Sequence, residues 1–187
     1  MVRGRHEVAG VLLVGGASRR FGSPKALAVY GGETLAERAH RVLAEAFGRV
    51  LVVGKEADGL ELPFPLVDDG SDLRAPIVGV AAALRAAEAE LCVVLPTDMP
   101  EVTPALLLGL AAAAEGMDAA VPQTGPLPGA YRRTTLPVLE RRIAEGELAL
   151  QRALDELRTR AVECDETLLV NVNTRAQIKE EGRRRRP

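Results

Sequence analysis

The sequence predicts an α/β fold: a mostly parallel sheet covered by helices on both faces. Three observations predict it. Short apolar runs alternate with longer segments of helical period along the chain. Two of the runs, VAGVLLV and ELCVVLP, are apolar on both faces, the pattern of strands buried on both sides. The polar, glycine-rich and acidic stretches follow strands, and sheets of this kind bind ligands outside their carboxyl ends.

The elements follow in order. Val8–Val14 reads as a buried strand. In TLAERAHRVLAEAFG, Leu35, Ala39, Val42, Leu43 and Phe47 lie close to the helical period, with Thr34 as cap and Gly48 as stop. RVLVVG and FPLVDD are the next strands. IVGVAAALRAAEA is a helix of small residues, suited to close packing on a sheet. After the strand ELCVVLP, a helix opens with Thr103 as cap and Pro104 at its first position, and closes at Gly116. DAAVP is a strand, TGPLPG a loop, and GAYRR extended. Helices are expected at 136–144 and 147–157, strands at AVEC and LLVNV, and a last helix from Thr174.

The 187 residues suit one domain, with no linker, repeat or composition break. About 180–187, ending RRRRP, is expected to be a disordered, solvated tail. A formal charge of −2 argues against nucleic acid as a partner. No apolar run approaches the ~20 residues of a membrane span, and the amino terminus lacks the apolar core of a signal peptide. Cys92 and Cys164 stand far apart in apolar contexts, which fits reduced thiols in the cytoplasm. No zinc-ligand spacing is present, and neither His6 nor His40 has an evident catalytic partner.

The stretch VLLVGGASRRFGSPKAL poses the functional question. Gly15 and Gly16 bring backbone N–H groups against a ligand, and Arg19, Arg20 and Lys25 add positive charge: an anion cradle. It matches neither the Walker loop nor the dinucleotide pattern G-x-G-x-x-G. From loop chemistry alone, a structural turn with solvated arginines is an equal reading. Lys25 favours the cradle, because the 24 basic residues include three lysines, Lys25, Lys55 and Lys179.

GGASRRFGSPKAL resembles the signature G-G-x-S-x-R-x-G-x-x-K of nucleotidyltransferases that move a nucleoside monophosphate onto a phosphate-bearing acceptor. The nearest group is the molybdenum cofactor guanylyltransferase (MobA) family. The matching positions are Gly15, Gly16, Ser18, Arg20, Gly22 and Lys25. The resemblance implies nucleotide contacts from Leu13, Val14, Gly15, Gly16, Ser18 and Lys25, with Arg20 and Lys25 neutralising phosphate charge during transfer. Pro24 stands where the family often has Asp.

VVLPTDMP puts Asp98 just past a strand, where chemistry alone reads a cap or turn. The segment resembles the family's D-x-P, whose aspartate binds nucleotide and the catalytic Mg²⁺. LVDDGSDLRAPIVGV resembles the family's acidic loop and G-P-L-x-G helix start, with Ala75 replacing the first glycine. Asp68 aligns with the nucleotide-binding aspartate, Asp69 is the neighbouring candidate, and Asp72 fits a second acid. Where the family sometimes has asparagine, this chain offers Val53 or Gly54, and Lys55 beside them reads as a surface residue. LLVNVNTRAQI resembles the family's N-V-N-T-P-E, so Asn171 and Asn173 are expected to bind the acceptor, with Arg175 in place of proline. Tyr131 and Arg132 fall in the acceptor-side region, with no motif to assign them.

Together the resemblance implies a three-layer, Rossmann-like nucleotidyltransferase fold with a mainly parallel sheet. It implies Mg²⁺-dependent transfer of GMP from GTP to a molybdopterin-type cofactor, with molybdoenzymes or cofactor-delivery proteins as downstream partners. The loop would cradle any triphosphate. A cytidylyltransferase on the same cofactor and an enzyme acting on a sugar phosphate or phospholactate stay open, as does a nucleotide-binding delivery protein.

Overall fold

A computed structural model describes residues 7–15, 24–174 and 176–178. Strand β1 (Val8–Leu13) opens the described chain. A hairpin of β2 (Val29–Tyr30) and β3 (Glu33–Thr34) leads into α1 (Leu35–Ala46). Then come β4 (Val50–Gly54), β5 (Leu66–Asp68), α2 (Pro76–Ala86), β6 (Leu91–Pro96) and α3 (Pro104–Ala113). The chain continues through β7 (Ala119–Pro122), β8 (Gly129–Arg132), α4 (Leu136–Ala144), α5 (Leu150–Ala153) and β9 (Thr159–Val162).

Seven strands form one sheet in the order β5-β4-β1-β6-β8-β7-β9. Its pairings are parallel except those of β8, which runs against both β6 and β7. Side-chain alternation divides the core between the two faces. Ala9 and Val11 of β1 join Cys92 and Val94 of β6 under α2, α4 and α5. Leu12, Leu91, Val93 and Leu95 turn the other way, under α1 and α3. This is the expected three-layer architecture. Thr34 starts α1 with a full capping box: its Oγ1 accepts from the Glu37 N–H at 3.1 Å, and Glu37 Oε2 accepts from the Thr34 N–H at 2.8 Å.

The sheet order reverses at β1. From β1 the chain winds outward through β4 and β5, then returns to place β6 on the other side of β1. Leu13 and Pro96 therefore end side by side, and a crevice opens beyond them.

Three expectations shift. LLVNV is not a strand: Asp165 caps a 3₁₀ segment over Glu166–Leu169, and the chain beyond it pairs with no strand ladder among the described residues. AVEC enters the sheet two residues early, as Thr159–Val162. At Cys164 the Gln123 side chain replaces the ladder, donating to the Cys164 carbonyl at 2.9 Å and accepting from its N–H at 3.2 Å. The helix expected over 147–157 shortens to α5 plus a 3₁₀ turn, because Gly146 reverses the chain at φ 78° and the Glu147 carboxylate binds Arg142 at 2.7 Å. His6, Arg175, Lys179 and the tail at 180–187 lie outside the described residues.

Candidate active site

A cleft of about 650 Å³ lies beyond the carboxyl ends of β1, β4 and β6. That volume suits a small-molecule site. Leu13, Val14, Gly15, Val53 and Gly54 line it from the ends of β1 and β4. Two glycines make this arrangement possible. Gly15 has φ 126°, a conformation an L-residue with a side chain rarely adopts. A Cβ on Gly54 would sit 2.4 Å from the Val14 carbonyl oxygen, so β4 approaches the β1 exit only without a side chain. The Val14 N–H then closes onto the Val53 carbonyl at 2.9 Å.

On the β6 side, Lys25 gathers three distant segments. Its Nζ donates to Asp98 Oδ2 at 3.0 Å and to Asn173 Oδ1 at 2.8 Å. The Lys25 and Asp98 side chains are 16% and 28% exposed, so the pair is shielded yet open to a ligand. A single 3₁₀ turn over Lys25–Leu27, entered from Pro24, presents the lysine. Asp98 follows the end of β6. Its backbone carbonyl accepts from the Val172 N–H at 2.8 Å, and Val172 is buried with Tyr30, Leu35 and Ile178. That contact docks the carboxy-terminal segment where Asn173 meets Lys25. An ammonium with two donors engaged keeps one N–H for a ligand oxygen.

On the β4–β5 side a second lysine does the opposite. Lys55 is buried at 8% exposure, where the sequence suggests a surface residue. Its Nζ donates to both carboxylate oxygens of Asp69, at 2.8 and 2.9 Å, and to the Ser71 carbonyl. The Ser71 N–H donates back to Asp69 Oδ1 at 3.0 Å. At the rim, Arg74 clamps Asp58 through two bonds, at 2.6 and 3.1 Å, which hold the Asp58 carboxyl below its ordinary pKa.

The sequence-derived residues separate cleanly. Leu13, Val14, Gly15, Lys25, Asp98 and Asn173 line the cleft. Gly16, Ser18, Arg19, Arg20 and Gly22 lie outside the described residues. Asp68 does not reach the cleft lining; its neighbour Asp69 does. The Asp68 carboxylate instead accepts from the Glu56 and Gly70 N–H groups, both at 2.7 Å, and these bonds lower its pKa. Its register opposite Gly54, at the edge of the sheet, turns it toward the backbone of the β4 exit. Asn171 is exposed and off the cleft lining that Asn173 shares, so the structure brings only one of the two amides to the cleft. Asp72 is exposed as well.

Tyr131 and Arg132 have structural work. The buried Tyr131 hydroxyl donates to the Pro126 carbonyl at 2.5 Å, and burial raises its pKa. Arg132 donates to the Met117 and Ala114 carbonyls. Burial pushes the Cys92 thiol up to about 12, the opposite of a reactive cysteine. His40 stacks on Phe64 with ring centroids 4.4 Å apart. Sequence reasoning missed Asp58, Arg74, Leu127 and the burial of Lys55. For Lys55 a signal existed: the lysine scarcity that marks Lys25 marks it equally.

The family model described as MobA-like NTP transferase domain matches residues 10–162. A probable molybdenum cofactor guanylyltransferase of Pelotomaculum thermopropionicum is 37% identical over 139 residues, covering 72% of this chain and 68% of that protein. The molybdenum cofactor guanylyltransferase of Desulfosudis oleivorans is 31% identical over 186 residues, covering 91% and 92%. Among solved structures, molybdopterin-guanine dinucleotide biosynthesis protein A of Archaeoglobus fulgidus superimposes with a TM-score of 0.80 at 26% identity, over 94% of this chain and 97% of that one.

Proposed function

The chain belongs to the family of MobA-like NTP transferase domains, and on that premise we propose that it transfers GMP from GTP to the phosphate of a molybdopterin-type cofactor, giving the guanine dinucleotide form and pyrophosphate. One observation carries the reading: the Lys25 ammonium stands between Asp98 and Asn173 at the point where the sheet order reverses. The choice of guanine and of the acceptor rests on the names of the relatives.

In this reaction an oxygen of the acceptor's terminal phosphate forms a bond to the α-phosphorus of GTP. The bond to the bridging oxygen breaks, and pyrophosphate leaves with the electron pair. The attacking oxygen is already anionic at neutral pH, so no side chain has to remove a proton. The chain's task is then positioning and charge stabilisation. Lys25 carries charge that builds on the phosphates, and a compact ammonium suits that role. Arg20 is assigned to the same charge by the opening motif. Asp98 and Asn173 fix the Lys25 ammonium before substrate arrives. Val14 and Gly15 offer backbone to the nucleotide, Asp69 is its acidic contact, and Asn173 also offers its amide N–H₂ to the acceptor.

Mg²⁺ is the proposed cofactor, and the donor set fits it. Lys25 engages Asp98 Oδ2, leaving Oδ1 for a hard cation. Among the described residues no cluster of three metal-ligating side chains exists. One carboxylate, with triphosphate oxygens and water, is the usual setting for Mg²⁺. Bound at Asp98, the ion would supply positive charge to the phosphates. We assign the reaction to the cytoplasm, supported by two cysteines that are both free.

The test is a thermal-shift panel of GTP, CTP, ATP and UTP with Mg²⁺, followed by pyrophosphate release with molybdopterin cofactor. Selective stabilisation by GTP and release of pyrophosphate are expected. A preference for CTP moves the assignment to a cytidylyltransferase. Silence with all four nucleotides leaves a protein that does not use them and overturns the proposal.

A further inference from the structure

We infer that Lys55 is a positioning residue for nucleotide binding, locking Asp69 and the loop behind it into place as the β4–β5 wall of the cleft. The inference rests on the nucleotide reading above and adds a residue that no motif marks. Its basis is geometric. Lys55 follows β4, and Asp69 follows β5 with its N–H bonded to the Gly54 carbonyl at 2.8 Å. All three Lys55 N–H donors are engaged, two by Asp69 and one by the Ser71 carbonyl. The lysine therefore has no donor left for a ligand, although it lines the cleft.

Asp69 keeps acceptor capacity. Its Oδ1 takes two N–H bonds, from Lys55 and Ser71, while Oδ2 takes one, from Lys55. A ribose hydroxyl or a base N–H can complete Oδ2. Lysine suits this role where arginine does not. Two carboxylate oxygens and a carbonyl converge on one point, and a planar fork cannot serve all three from there. In a chain that uses arginine for most of its positive charge, that choice is informative.

The experiment measures the GTP dissociation constant and single-turnover kinetics for wild type, Lys55→Met, Asp69→Asn and the double variant. Binding of GTP to wild type tests the underlying reading separately: if wild type binds no nucleotide, that reading fails first. With wild type binding, Lys55→Met is expected to weaken GTP about tenfold or more, with the rate at saturating nucleotide changed less than about threefold. The double variant is expected to bind no worse than the weaker single one, because Lys55 acts through Asp69. Multiplying losses would mean that Lys55 meets the nucleotide directly, and would overturn the inference. GTP affinity within twofold of wild type in Lys55→Met would overturn it too. If Lys55→Met does not fold, Asp69→Asn and the charge-balanced double variant still decide: equal affinities support the inference, and a further large loss in the double rejects it.

Discussion

Lys25 and Lys55 each donate to a carboxylate in the same cleft, but their surroundings differ. Lys25 has two engaged donors and a partner, Asp98, that is 28% exposed. Lys55 has three engaged donors and a partner, Asp69, that is 9% exposed. The first keeps an N–H for a ligand, and the second keeps none. On the proposed reading, one cation meets charge that develops and the other holds a wall still. Residue type alone does not separate these roles; the count of engaged donors does.

The largest effects should fall on the first lysine. Lys25→Ala and Asp98→Ala are each expected to slow pyrophosphate release about 10²–10³-fold, with circular dichroism unchanged. Lys55→Met should instead move nucleotide affinity, so a kcat loss in Lys55→Met as deep as in Lys25→Ala would erase the distinction.

The two asparagines sharpen the contrast on the acceptor side. Asn173→Ala is expected to raise the acceptor KM about tenfold, because it removes both the proposed acceptor contact and a prop for Lys25. Asn171→Ala, at an exposed position off the cleft, should stay within about twofold. Equal losses would show that the pair acts together after all. The tight glycine contact lines the same cleft as the two lysines. Gly54→Ala forces a Cβ toward the Val14 carbonyl at 2.4 Å and should lower stability by about 1–3 kcal/mol. Thermal unfolding reads that shift.

The smallest effect concerns Asp68, whose folded pKa the Glu56 and Gly70 N–H groups hold below the ordinary 3.8. The stability it contributes is present above the unfolded pKa and is lost as pH falls through the lowered folded value. Asp68→Asn should therefore lower stability slightly at pH 7 and flatten the profile below about pH 4, where variant and wild type converge. Urea midpoints measured from pH 7 to pH 3 would show it.

Much of this arrangement was readable in the sequence. Strand–helix alternation anticipated the layers, and Thr34 and Thr103 were legible as helix caps because capping is local. The residues at the β1–β6 edge carry motifs, so Gly15, Lys25, Asp98 and Asn173 are legible in the sequence as parts of one site. The β4–β5 side was less legible. Strand β5 is three residues long and has no buried–exposed alternation, so nothing local decides whether Asp68 or Asp69 enters the cleft. Lys55 is buried by partners on a different loop, and burial by non-local contacts leaves no trace in periodicity. The reversed direction of β8 is likewise set by pairing across the sheet. LLVNV misled because its inward-facing apolar position is real: Val172 is buried between two exposed asparagines, but among the described residues no strand pairs with it.

The most direct test of the account is single-turnover pyrophosphate release from GTP and molybdopterin cofactor by Lys25→Ala, with wild type alongside. Wild type is expected to release pyrophosphate, and the variant to do so about 10²–10³-fold more slowly while remaining folded. A folded variant that turns over within threefold of wild type would contradict it.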